Sequence, residues 1–417
     1  MEQRLTGIGS TKMNLPNEKF CVLPWISLEA SPIGTVRPCC LADDELVNDA
    51  GEKFSLSTAS FESIQNSQAM RSLREQFLAG ERPQTCRKCW NEERAGRTSK
   101  RMHSLDRLKH ILGEQTWTAA AKPLMFLDLK LGNICNLKCR ICGSWSSSQF
   151  ASEEISFLPQ EQKKSSYAYQ MLKAGAWPQE NQTFWDQIDN HISDIRYIEF
   201  TGGEPFLIQE HFEMLQGIVD RGIADQVEIH YNTNGTQFPE QAADIWRHFR
   251  TVEIAISIDD LATRFEYQRS NAVWFDVVQN IDRFRLLRED YPNIQLQCCA
   301  TVNIFNVRYI DQLACWVAEQ GFDFVYWNMM HDAWYFSIAC LPDTAKKAIT
   351  EHLLTAPIPP QYIEEFARII DFMNNGASTD GFMTRMKIAD LDRKRNTDFS
   401  IISPEMAELI QYDIGVQ

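Results

Sequence analysis

Positive charge is what this sequence has least of. Its 41 Lys and Arg face 56 Asp and Glu, for a formal net charge of −15 over 417 residues. That balance repels polyanions, so neither nucleic acid nor an anionic membrane surface is expected as a main partner. Long apolar runs are missing as well, and no uninterrupted stretch could span a bilayer. The first twenty residues, MEQRLTGIGSTKMNLPNEKF, lack the apolar centre of a secretory signal. A soluble, cytoplasmic protein is therefore expected. The apolar share of 44% excludes disorder and supplies a sizeable core. The length suggests a main domain with smaller appendages.

Cysteine is not scarce. There are twelve, and without an export signal they read as metal ligands more readily than as disulfides. Five fall early (Cys21, Cys39, Cys40, Cys86, Cys89), three crowd into LGNICNLKCRICGSW (Cys135, Cys139, Cys142), and four come late (Cys298, Cys299, Cys315, Cys340). The late four sit in apolar stretches and are expected to act as small buried hydrophobes.

From about residue 124 the chain alternates between strand and helix patterns. LMFLDLKLG, IRYIEFTGGEP, VEIHYNTNG, TVEIAISIDD, IQLQCCATVNIFN and FDFVYWNMM read as six strands. Between them lie helical stretches, one placing Phe212, Leu215 and Val219 on a single face and another placing Val277, Ile281 and Phe284. Helical crossovers imply parallel strands. Six units are too few for a closed eight-unit barrel, so the expected fold is α/β, a partial (β/α)6 barrel or an open curved sheet. Ligands in such folds gather at the carboxyl ends of the strands. The cysteine loop, GGE and NTNG all fall there and should surround one pocket. The first crossover, from Gly143 to about Asp194, is long and polar and carries Trp177 and Trp185, the composition of a lid or substrate wall. The expected division is an N-terminal module over 1–110, the barrel over 111–340, and a mainly helical extension over 341–417.

Four thiolates would close a zinc site or saturate a cubane iron–sulfur cluster. Three thiolates at C-x3-C-x2-C can hold three corners of a cubane and leave one iron open. A zinc site with a distant fourth ligand has the same local spacing. CNLKCRIC after the first strand, with GGEP after the second, resembles the radical S-adenosylmethionine (SAM) superfamily. The resemblance implies that Cys135, Cys139 and Cys142 hold a [4Fe-4S] cluster whose open iron is chelated by SAM. Reductive cleavage of SAM would then give a 5′-deoxyadenosyl radical. Gly202, Gly203 and Glu204 resemble the motif that receives the methionine ammonium. Glycines permit close backbone approach, and a carboxylate suits a cation. Asn232 and Asn234 of NTNG are candidates for the SAM ribose. SIDD followed by YQRS resembles the pattern of peptide-modifying members, in which Ser257 and Arg269 would approach the methionine carboxylate. The chain departs from the family at Ile141, where an aromatic residue is usual.

On spacing alone, Cys21, Cys39, Cys86 and Cys89 would suit a zinc ribbon. The run C-x12-G-x4-C, from Cys21 through Gly34 to Cys39, followed by CRKC, also resembles the opening of SPASM and twitch domains. That likeness implies one auxiliary [4Fe-4S] cluster, with Cys40 a spare beside Cys39. Such modules usually follow the barrel; here the motif precedes it. Residues 82–109 carry nine Lys or Arg against three acidic residues, as a solvated helix face or a dock for an acidic partner. The resemblance implies modification of a peptide or protein, or the same chemistry on a small metabolite, with a flavodoxin or ferredoxin as reductant. A non-catalytic zinc or electron-transfer protein is the reading from another class. Cys340, His331, Tyr326 and Asp259 lie near strand ends, each expected to be structural.

Overall fold

The computed structural model describes residues 14–94, 98–112, 116–331 and 333–412. Most of the stretch read for a secretory signal lies outside these residues, as do Arg97 of the basic segment and the last five residues. Among the described residues, no helix is long and apolar enough to cross a membrane.

All six expected strands form. They are β3 (Phe126–Lys130), β4 (Tyr197–Thr201), β5 (Glu228–Thr233), β6 (Thr251–Ser257), β7 (Ile294–Val302) and β8 (Phe324–Met329), paired in parallel in that order. Two short strands of the N-terminal segment add to the same sheet: β1 (Ser27–Ala30) runs parallel to β3, and β2 (Val36–Arg37) antiparallel to β1. Among the described residues the sheet thus has eight strands, ordered β2-β1-β3-β4-β5-β6-β7-β8. Four-residue and two-residue strands are too short to show a hydrophobic period, which is why the sequence pattern missed them.

One side of each strand packs on the crossover helices. Leu127, Leu129, Ile198, Phe200, Ile229, Tyr231, Ile254 and Ile256 are all buried in this apolar layer. The helix Gln209–Asp220 covers it with Phe212, Leu215 and Ile218; Val219, read from the pattern as part of that face, is only half-buried. The other side of the sheet is polar. Register aligns Glu29, Asp128, Glu199, His230, Glu253 and Gln295 across β1 and β3 to β7 in one row.

The helix Lys100–Leu112 lies against that row. Lys100 Nζ is 2.9 Å from both carboxylate oxygens of Glu199, Arg107 Nη2 is 2.8 Å from Glu253, and His110 Nε2 is 2.9 Å from Glu228. Arg107 also stacks its guanidinium over the Tyr197 ring. Within 82–109, read as a solvated face or an external dock, Lys100, Arg101 and Arg107 instead pair with carboxylates of the same chain, whereas Arg87, Lys88 and Lys109 stay largely exposed. Burying a row of carboxylates requires such partners.

Candidate functional site: two cysteine sets at one barrel

The cysteine loop leaves the end of β3 and folds under neighbouring strand ends. Gly203 N–H donates to Gly132 O, and Glu204 N–H donates to Ile134 O at 2.8 Å. A Cβ at Gly203 would stand 2.2 Å from Ile134 O, and one at Gly202 (φ +109°) 2.8 Å from Gly132 O. These glycines are thus required by the close approach of the GGE turn to the cysteine loop itself.

Glu204 is buried. Its carboxylate accepts from Thr233 Oγ1 and Asn234 N, both at 2.7 Å, and from Phe206 N at 3.2 Å. Burial pushes its pKa up to about 7 against those donors. The carboxylate therefore ties the end of β4 to the end of β5. Asn234, in turn, points its Nδ2 at Cys135 Sγ (3.9 Å) and at Asn136 Oδ1 (2.9 Å). Asn232 Nδ2 faces His230 instead, at 3.4 Å.

The three cysteines are electrostatic neighbours. Cys139 and Cys142 share a hydrogen bond, and Cys135 acts electrostatically on Cys142. Burial, with Cys139 beside it, pushes the Cys135 thiol up to about 12, whereas the bond from Cys139, aided by Arg269, lowers that of Cys142. Arg269 is buried, with Nε and Nη2 held 2.9 and 2.8 Å from Asp259 Oδ2. Asp259 accepts Thr301 N–H on its other oxygen. The pair sets a guanidinium beside Cys139 and Cys142, with one edge of its fork committed to Asp259. Ser257 ends β6 and pairs across the sheet with Cys299.

Of the late cysteines, Cys298 and Cys340 are buried as expected; Cys340 Sγ donates to Ser337 O. Cys299 and Cys315 are only half-buried, and Cys299 lies on the polar side near Asp259 and Arg269. Tyr326 and His331 are exposed, His331 edge-on to Phe372.

The loop is also gripped from afar, which the sequence did not signal. Arg140 is fully buried, with its Nη2 2.7 Å from both Asp392 Oδ1 and Thr397 Oγ1, its Nε donating to Tyr267 O, and its guanidinium 3.5 Å from the Tyr267 ring centre. Lys138 pairs with Glu153, which also accepts from Arg395. The C-terminal helix Phe382–Arg395 thus pins the loop from outside the barrel. Asn133 fastens the long first crossover to the loop, donating to Met171 O and Ser144 O.

The second set is separate. Cys21, Cys39, Cys86 and Cys89 line one small pocket, together with Leu23, Phe77, Trp90 and Lys100. Cys40 does not line it; its thiol lies among Asp128, Lys100 and Lys130 on the polar side of the sheet. Burial, with the neighbouring thiols, pushes Cys21 well above the usual thiol range and Cys39 up to about 11. Thiols so buried ionise only against a strong positive charge, which a metal supplies. Among the described residues, no three His, Cys, Asp or Glu close around a point as ligands of a single ion would. The fit to clusters therefore rests on the donor sets: four sulfurs around one cavity and three at a strand end.

Residues 129–289 match the profile of the Radical SAM superfamily, and residues 21–90 match that of the SPASM iron–sulfur cluster-binding domain. The chain carries a radical SAM domain preceded by a SPASM domain. These domains imply an enzyme using [4Fe-4S] clusters and S-adenosylmethionine. Similar solved structures include native anSMEcpe with bound AdoMet, at 18% identity and TM-score 0.36, covering 61% of this chain and 63% of that one. Another is anSMEcpe with AdoMet and the Cp18Cys peptide, at 16% identity and TM-score 0.35, covering 62% and 63%. SuiB of Streptococcus suis bound to S-adenosylmethionine is 14% identical with TM-score 0.34, covering 73% and 60%. The chain thus spans less than two thirds of the length of each. No curated protein matches it.

Proposed function

We propose that this radical SAM protein modifies a side chain of a peptide or protein substrate. The observation that carries the reading is that both cysteine sets address one polar barrel face. The three-cysteine loop stands at its carboxyl rim, and Lys100 reaches from the four-cysteine cavity to Glu199 in its row. The same pairing of a SPASM segment with SIDD…R led the sequence toward peptide modification rather than a small metabolite. The proposed division is a SPASM module within 1–110, a barrel within 111–340 and a clamp within 341–417.

In this reading Cys135, Cys139 and Cys142 hold one cluster, and Cys21, Cys39, Cys86 and Cys89 hold the auxiliary one. The first cluster, with SAM bound, supplies a 5′-deoxyadenosyl radical that takes hydrogen from an unreactive position. The chain's own groups do the positioning. Gly202 and Gly203 bring the GGE turn against the loop, Glu204 locks it to NTNG, and Asn234 donates toward a ligand sulfur. Arg269, held by Asp259, keeps positive charge at Cys139 and Cys142 and has one fork edge for a carboxylate. Ser257 offers a hydroxyl on the same rim. A flavodoxin or ferredoxin is proposed as reductant.

Anaerobic reconstitution should give ~8 iron per chain, two cubanes, and 5′-deoxyadenosine after reduction. Cys139→Ala should abolish that product. Cys86→Ala should leave SAM cleavage and stop substrate turnover. Zinc in the purified protein, or no SAM cleavage, would sink the reading.

A further inference from the structure

The helix Phe382–Arg395 has an apolar side that nothing covers among the described residues. Its inner face is buried through Thr384, Ile388, Leu391 and Asp392. The face turned to solvent nevertheless carries Phe382, Met383 and Met386, which are 54%, 38% and 45% exposed. The patch continues at both ends of the helix. In the first turn Thr384 Oγ1 donates to Tyr335 O at 2.6 Å, and beside Tyr335 stands Trp334, half of it exposed. In the last turn Lys394 Nζ lies 5.5 Å from the ring centre of Phe157, which is also exposed. Trp, Phe and Met set among charged residues have the composition of an interface core.

The charge of this face is opposite to that of the chain. From Asp380 to Lys394 the charged residues that are not buried are Arg385, Lys387, Arg393 and Lys394 against Asp380 and Asp390. Asp390 is shared by Lys394 at 2.7 Å and Arg393 at 4.0 Å, and Arg385 donates to the carbonyls of Asp380 and Ile410. Glu154, which acts on Tyr335 from the helix Ser148–Ser156, accepts from Ser144 Oγ. Lys387 lies over the Tyr335 ring. Four cations against two carboxylates leave the helix positive on a chain of net charge −15.

The inner face of the same helix holds the three-cysteine loop. Asp392 binds Arg140, the residue after Cys139, and Arg395 binds Glu153, the partner of Lys138. The thickness of one helix, about 10–12 Å with its side chains, is what separates the patch from that loop. Electron transfer slows steeply with distance, so a carrier seated on the patch stands close to the first cluster.

We propose that this outer face docks the reductant, and that the reductant is a flavodoxin. A flavodoxin presents the apolar edge of its flavin within an acidic surface. That is the complement of Trp334, Phe382, Met383 and Met386 ringed by Lys387, Arg393 and Lys394. A short contact of this kind suits a transient redox partner. The carrier is oxidised by one electron and the cluster reduced by one, with no proton or bond transferred. The inference rests on the assignment of a cluster to Cys135, Cys139 and Cys142 and adds where its electron enters.

The test uses reconstituted full-length protein and a flavodoxin, with a ferredoxin and a basic c-type cytochrome as controls. Calorimetric titration should show flavodoxin binding that weakens as salt rises. Lys387→Glu and Met386→Asp should each weaken it roughly tenfold or more, with iron content and Tm unchanged. Lys53→Glu, an exposed charge reversal in the N-terminal module, should leave it unchanged. In stopped flow, reduction of the first cluster by reduced flavodoxin should slow by a similar factor in the first two variants. Dithionite-driven SAM cleavage should stay at the wild-type rate in both. Unchanged flavodoxin binding in both variants, or tighter binding of the ferredoxin or the cytochrome, would overturn the proposal. So would a sedimenting dimer that Met386→Asp breaks, or binding to phosphatidylserine vesicles that Met386→Asp abolishes. The function fails separately: flavodoxin binding sensitive to Lys387→Glu, without SAM cleavage under any reductant, removes the radical chemistry but not the dock. Flavodoxin-driven SAM cleavage that ignores Lys387→Glu and Met386→Asp removes the dock but not the function.

Discussion

Gly203 shows how a motif residue can act through packing. A methyl group there meets two backbone atoms of Ile134, at 2.2 and 2.7 Å, and neither can swing aside as a side chain could. Gly203→Ala should therefore displace the cysteine loop at a cost of about 3 kcal/mol or more. A fall in Tm together with loss of about half the ~8 iron, the auxiliary cluster being kept, is the expected result. Asn234 acts at the same scale. Its Nδ2 points at Cys135 Sγ, and hydrogen bonds to ligand sulfurs raise a cluster's potential. Asn234→Ala should shift the midpoint of the first cluster to a more negative value in an EPR-monitored redox titration and leave that of the second unchanged. The motif letters of GGE and NTNG were legible in the sequence. That Glu204 spends its carboxylate on Thr233, Phe206 and Asn234 was not, because a loop partner thirty residues away leaves no local pattern.

Among the elements, the helix Lys100–Leu112 and the acidic row beneath it depend on each other. Glu253 shows the coupling: burial alone would raise its carboxyl, but His230 and Arg107 outweigh it and hold it at about 2. The folded value lies below the unfolded value near 4.5, so the pair's contribution is complete above pH ~4.5 and is lost as pH falls toward ~2. Glu253→Gln should lower the urea-unfolding free energy of the metal-free protein by about 3 kcal/mol at pH 7. The deficit against wild type should shrink through that acid window. A deficit independent of pH would place the effect elsewhere than in ionisation. The row itself was readable in principle. Glu29, Asp128, Glu199, His230 and Glu253 each stand at an alternate position between apolar residues, but one strand at a time such a residue reads as merely solvent-facing.

Across the whole molecule, the chain's two ends hold its middle. β1 completes the sheet beside β3, so the SPASM segment is built onto the barrel and not merely tethered to it. At the other end, Asp392 and Thr397 hold Arg140 Nη2 in the middle of the cysteine loop, across 252 and 257 residues. Asp392→Ala strands a buried guanidinium and also removes acceptors used by Tyr267 and Tyr412. A loss of 3–5 kcal/mol is expected, on the order of that for breaking other buried pairs. Faster alkylation of Cys139 in the metal-free protein would show that the lost clamp is felt at the loop.

By itself the sequence determined the six parallel strands, their crossover helices and the two cysteine spacings, since each is written in neighbouring residues whose periodicity or spacing is local. Tertiary structure alone decided which cysteine of the Cys39–Cys40 pair faces the four-sulfur cavity, where the basic segment finds its partners, and what grips the cysteine loop. These are matters of long-range charge pairing and strand order, set when distant segments compete for the same buried space, and no window of sequence contains both competitors.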